Sequence, residues 1–179
     1  MKTTLIHCSG ARRLMLSGIF LSCLFLSSGS LFAQTGTFTC KVDGKPFAAT
    51  FINAFTMKMY GEEFFTLEAK RDKQTIQLEI NPTLLKGSFP KTIEWKKPKG
   101  FDPDDVKMTY YPTGGTPLLT SESGQVVVTA FDPNKQTISG TFQFNLSEDR
   151  FMAFKKGELQ KAGVTEGTFQ NVKYRKAGK

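Results

Sequence analysis

The sequence predicts an all-β domain, an antiparallel β-sandwich or a partly closed β-barrel of roughly eight to ten strands, following a cleaved signal peptide. Three observations carry that expectation. Apolar and polar residues alternate in one segment after another, the period of a strand with one buried face. Turn signals recur about every ten residues, the spacing of short strands joined by reversals. The stretch most open to a helix, Ser147 to Gly163, has Arg150 where a capping box needs an acidic residue, so helix contributes little.

The clearest element is a hairpin over 125–146. Ile138, Gly140, Phe142, Phe144 and Leu146 share one face, while Thr137, Ser139, Thr141, Gln143 and Asn145 share the other. Val126, Val128 and Ala130 form the matching inward set on the first strand, which ends in Asp132-Pro133-Asn134-Lys135. Proline fixes φ there and the Asx side chains favour a reversal.

Upstream, Thr37 to Val42 alternates and meets Asp43-Gly44, a strong hairpin signal. The return segment is long. Phe47, Ala49, Phe51, Phe55, Met57 and Met59 share odd parity and are expected to face inward, with a bend or bulge near Asn53. After Gly61-Glu62, the set Phe65, Leu67 and Ala69 faces in until Asp72-Lys73, and Ile76, Leu78 and Ile80 continue the meander to Asn81-Pro82.

Residues 82–105 are the least regular, punctuated by Gly87, Pro90, Pro98, Gly100 and Pro103, with one short strand expected near Thr92 to Trp95. Val106, Met108 and Tyr110 resume the inward set, and Pro112 to Pro117 is a loop. Beyond the central hairpin a strand is expected at Phe151 to Phe154. A closing strand follows from Val164 to Tyr174, with a bulge where parity slips between Phe169 and Val172.

The first 33 residues read as a signal peptide, with cleavage before Gln34. Lys2, Arg12 and Arg13 form the positive region, Leu14 to Leu26 the apolar run, and Leu31-Phe32-Ala33 the processing site. A membrane anchor would need about 20 unbroken apolar residues, and Ser22, Ser27, Ser28 and Ser30 interrupt the run. Lipid attachment at Cys23 is a further alternative, disfavoured because the apolar run continues past it. Residues 34–179 are then one domain, in a periplasmic or extracellular setting. Without the three basic leader residues the formal charge falls from +8 to +5, which suits solubility better than nucleic-acid binding.

Two counts narrow the chemistry. Cys40 is the only cysteine after the leader and His7, the only histidine, lies within it. The mature chain therefore has no internal disulfide, no Ser-His-Asp or Cys-His unit and no histidine-ligated metal. Asp102, Asp104 and Asp105 lack the glycine and distal glutamate of a calcium loop and read as a solvated turn. Glu122, Glu148, Asp149, Glu158 and Glu166 sit in turns or at strand ends, and nothing pairs two of them as a hydrolase requires. No catalytic residue, metal ligand or cofactor is assigned.

The candidate binding residues are Trp95, Lys96, Lys97 and Lys99, an aromatic plate beside a basic run, with Tyr111 as an extension. Such a surface suits a polysaccharide, an anionic lipid head or a nucleic acid, although a solvated loop whose tryptophan covers one end of the core is the favoured reading. The phenylalanines and methionines could alternatively line a hollow barrel for a small apolar ligand; side chains of this size more often fill the space they face.

Three runs, Phe38-Thr39-Cys40-Lys41-Val42-Asp43-Gly44-Lys45-Pro46-Phe47, the stretch from Gly124 to Phe144, and Thr165 to Val172, resemble small exported proteins of Bacteroidetes grouped in a domain-of-unknown-function family. Many of its members look like lipoproteins. The resemblance implies an all-β domain in the envelope or outside the cell and brings no catalytic residues with it. The expectation is a non-enzymatic exported β-domain that binds a partner or envelope surface through its loops, the alternatives being a lipocalin-like carrier of a small apolar ligand and a carboxylate-dependent hydrolase.

Overall fold

The computed structural model describes residues 36–59, 62–97, 105–115, 117–148 and 159–176, all within one compact unit, Ala33–Lys179. The signal peptide expected over 1–33, Lys99, Asp102, Asp104 and the strand expected at Phe151 to Phe154 lie outside the described residues.

Alternation in the sequence becomes strand nearly everywhere it occurs. The strands are β1 (Thr37–Val42), β2 (Lys45–Ala48), β3 (Phe51–Met59), β4 (Glu62–Arg71), β5 (Gln74–Ile80), β6 (Lys91–Glu94), β7 (Val106–Tyr111), β8 (Leu119–Asp132), β9 (Thr137–Glu148), β10 (Lys161–Lys173) and β11 (Arg175–Lys176). A 3-10 turn, Pro82–Leu85, follows β5, capped where the Asn81 side chain accepts from the Thr83 N–H. No α-helix occurs among the described residues, and none there is long and apolar enough to cross a membrane.

These strands make one sheet, curled into an open half-barrel, rather than two facing sheets. Its order is β11-β3-β4-β5-β7-β8-β9-β10-β1-β2, with β6 pairing β8 beside this path. Both ends of the path run on into strands already in the sheet. β2 leads through Ala49-Thr50 into β3, and β10 leads through Tyr174 into β11, which lies parallel on β3. The path holds ten strands, the upper end of the eight to ten expected, with β6 beside it, and it reaches that number because these two long strands each break in two where they bend.

The turns follow their residues. Asp43 and Gly44 both take positive φ (50° and 75°) between β1 and β2, and Asp72 (φ 53°) does so between β4 and β5, as tight antiparallel reversals require. At the end of β8 the Asp132 carboxylate accepts the backbone N–H groups of Asn134 and Lys135, both at 2.9 Å. The Lys135 N–H leads in holding that carboxyl below its ordinary range.

One face of the sheet forms the core. Phe65, Leu67, Ile76, Leu78, Val106, Met108, Val126, Val128, Ile138, Phe144 and Leu146 are buried in it as their parity predicts. The rings of Phe38 and Phe142 stack at 5.0 Å, and Phe142 stacks on Phe169 at 6.2 Å. Ser121 also turns inward, where its hydroxyl takes the Met108 N–H at 2.7 Å and faces the Met108 carbonyl at 3.1 Å. That satisfies a polar group that would otherwise be costly to bury.

Two inward sets need correction. The expected parity of the long second strand holds through Phe47 and Ala49, which packs against the core, and then fails. At the bend the Ala49 N–H bonds to Phe38 of β1 and the Thr50 N–H to Lys70 of β4, and this change of partner reverses the faces. Ala54 and Thr56 are buried, whereas Phe51 is 50% exposed, with the Lys70 ammonium 5.8 Å from its ring. The bend sits at 49–50 rather than near Asn53. Likewise Ala130 points outward, because β8 bulges between Val128 and Ala130, and Phe131 then sits opposite Ile138. The slip expected between Phe169 and Val172 is present, with Asn171 at φ 50°, and a second irregularity lies between Val164 and Gly167.

Cys40 is a free, buried thiol whose pKa burial pushes up to about 12. Its thiolate should be on the order of a thousandfold scarcer than that of an ordinary thiol near neutral pH. Native protein is therefore expected to resist iodoacetamide and to take up one equivalent of label at Cys40 only in denaturant; rapid labelling of folded protein would show the β1 core position to be open.

Candidate functional site

The outward face of β8, β9 and β10 holds the candidate site, and its geometry follows from register. Gln125 of β8 lies opposite Gln143 of β9, Val127 opposite Thr141, and Ser123 opposite Asn145. On the far side of β8, Glu94 of β6 pairs with Gln125. On the far side of β9, Phe144 pairs with Val164 and Phe142 with Gly167, so Thr165 and Glu166 together face the single residue Gln143. That extra residue is a bulge, and Glu166 takes positive φ (52°) to make it. Beyond it Lys41 of β1 pairs with Thr165 and reaches the Glu166 carboxylate at 2.7 Å.

Three clefts open along this row. The first, about 440 Å³, is bordered by Trp95 and Glu94 at one end, by Gln125, Gln143 and Asn145 along it, and by Thr165. The second, about 480 Å³, continues over Val127, Thr141, Gln143 and Thr168. The third, about 390 Å³, runs past Ser123 and Asn145 to Asp43, Glu122 and Lys161. Beneath the first two clefts, Gly124 sits against the Phe144 ring and Gly167 against Phe142, each where a Cβ would collide, so these rings pack over glycine on the core face of the same strands.

The polar groups divide by commitment. Asn145 donates to Ser123 Oγ at 3.0 Å, Asp43 accepts the Gly163 N–H at 2.7 Å, and Glu122 meets Lys161 at 3.9 Å. Among the described residues, the side-chain amides of Gln125 and Gln143 have no hydrogen-bond partner. Each offers two donors and an acceptor.

Trp95 is held by its main chain, whose N–H donates to the Gly124 carbonyl at 2.9 Å, and its half-buried side chain packs against the core. It thus caps an end of the core and borders a cleft at once. Lys96 and Lys97 are exposed and border none of the three clefts. Tyr111 lies on β7 opposite Thr75, away from Trp95's cleft. Burial, then the Glu79 and Glu68 carboxylates, raise its pKa. The structure therefore does not bring Tyr111 together with Trp95. The amide row was missed from sequence because outward strand residues are ordinarily polar. A cue existed in Gln125 and Gln143, long amides on facing strands of a recognisable hairpin.

No group of three or more His, Cys, Asp or Glu lies together among the described residues. A family model described as a domain of unknown function, DUF6252, matches residues 34–173. The chain belongs to this family. No curated protein and no solved structure matches it. Within this DUF6252 domain the matched span takes in every strand from β1 to β10, and hence all the residues bordering the clefts.

Proposed function

We propose that residues 34–179 are an exported, non-enzymatic β-domain that binds an envelope component through the outer face of β8, β9 and β10 and the Trp95 edge. One observation carries the reading. Trp95 and the unpartnered amides of Gln125 and Gln143 border one cleft on a rigid sheet, the combination of an apolar plate and a few converging polar groups that marks a binding surface. The basic run is demoted to a flank, since the ammonium groups of Lys96 and Lys97 add only salt-sensitive attraction.

The other readings find less support. A carrier would need interior volume, and the stacked rings of Phe38, Phe142 and Phe169 occupy the inner face. A hydrolase would need paired carboxylates in a cleft. The first two clefts hold Glu94 and Glu166 respectively, and the third holds Asp43 and Glu122, which are engaged with Gly163 and Lys161.

The test is retention of purified protein on isolated envelope fractions. Trp95→Ala is expected to weaken retention at least tenfold, while Lys96→Ala with Lys97→Ala should lower it only severalfold and mostly at low salt. Retention unchanged by Trp95→Ala, in a variant with wild-type circular dichroism, would overturn the reading.

A further inference from the structure

We infer that the ligand of this face is an uncharged polysaccharide, running from Trp95 through the first cleft, over the Gln125–Gln143 pair and into the second cleft beside Glu166. The inference rests on the binding role proposed above and names its chemical class. Three features of the clefts select it.

The first is charge. Among the residues bordering the first two clefts there is no lysine or arginine, and the ionisable ones are Glu94 and Glu166. A phosphate or carboxylate ligand would call for the forked or point cations that pair with such groups, and here it would instead meet two carboxylates. Glu166 is bridged by Lys41, so the row offers an anion no site.

The second is the kind of polar group. Free amides and threonine hydroxyls both donate and accept, as vicinal sugar hydroxyls do. Gln125, Gln143, Thr141 and Thr165 supply that mixture across the two clefts, joined by Thr168, whose hydroxyl is shared with that of Thr39 at 2.9 Å.

The third is shape. Tryptophan presents a flat apolar face with a polar edge, suited to the C–H face of a pyranose ring. The clefts share Gln125 and Gln143 and adjoin on either side of that pair, following one another along the strands, and such a continuous trough suits a linear chain of rings better than one compact molecule.

The experiment uses the sole tryptophan of the chain as its probe. Envelope polysaccharide freed of protein and lipid is separated by anion exchange into neutral and acidic fractions, and each is titrated into the protein while Trp95 fluorescence and retention in affinity electrophoresis are followed. The neutral fraction is expected to shift the emission and retard the protein, with little change between low and high salt. Gln143→Ala should weaken this at least tenfold and Trp95→Ala should abolish the retardation, whereas Lys58→Ala, at an exposed β3 position bordering neither cleft, should leave it unchanged. Gln143 is exposed, so its removal spares the fold. Binding confined to the acidic fraction, neutral binding indifferent to Gln143→Ala, or no binding to either fraction would each overturn the inference. If intact envelope still retains the protein through Trp95 in such a case, the binding role survives and the ligand is of another class; if Trp95→Ala is neutral there too, both fall.

Discussion

Replacing Phe142 by Ala is expected to remove about 3–5 kcal/mol of folding stability, the range for truncating a buried aromatic. The ring is 4% exposed. It lies between Phe38 at 5.0 Å (interplanar 29°) and Phe169 at 6.2 Å (interplanar 23°), so its loss opens a cavity and breaks both ring contacts at once. Those contacts join β9 to β1 and β10, the strands that carry one end of the sheet path. Domains of this kind are stable by only about 5–15 kcal/mol in all, so the variant should unfold at a far lower urea concentration than wild type with a similar denaturant slope. A loss below about 1 kcal/mol would show that the ring does not fill the interior, and would reopen the hollow-barrel reading.

Gly140→Ala is expected to cost about 2–3 kcal/mol, the upper part of the usual range for overpacking. A methyl group is ordinarily harmless in a strand. Here a Cβ at Gly140 would lie 2.5 Å from Phe169 Cζ and 2.5 Å from the backbone oxygen of Val127. The ring could swing aside only into Phe142, and the carbonyl belongs to the neighbouring strand β8, so both responses disturb the stack or the ladder. Urea unfolding checks it. The double variant Gly140→Ala, Phe169→Leu separates the causes, because relief of the ring clash should recover part of the loss. A neutral or stabilising Gly140→Ala would mean that the Phe169 ring does not cover that glycine.

How much of this was legible in the chain depends on the element. Where a strand keeps its own alternation, parity alone placed the side chains: β5, β7 and β9 bury the residues their alternation selects. The Asp43-Gly44 turn was legible because few residue pairs tolerate positive φ at two successive positions. The inward direction of Phe51 was misjudged because alternation counts residues, whereas a strand's faces reverse wherever it changes partners. Nothing in Phe47-Ala48-Ala49-Thr50-Phe51 marks that change. Trp95 was legible as a candidate by its chemistry, and the neutral row beside it was not, since a glutamine on a strand's solvent face looks like ordinary surface until its neighbour is known.

Residue order by itself determined that the described residues are β nearly throughout, that the hairpins turn where Asp, Gly and Pro stand, and that no histidine follows His7. Each of these depends on local geometry or on simple presence. Only the tertiary structure decided that the strands form one curled sheet, that Phe51 looks outward, and that Trp95, Gln125, Gln143 and the 165–166 bulge share one face. Those facts depend on which strand lies beside which and in what register, and pairing across a sheet joins residues far apart in sequence, so no short window of the chain contains the information.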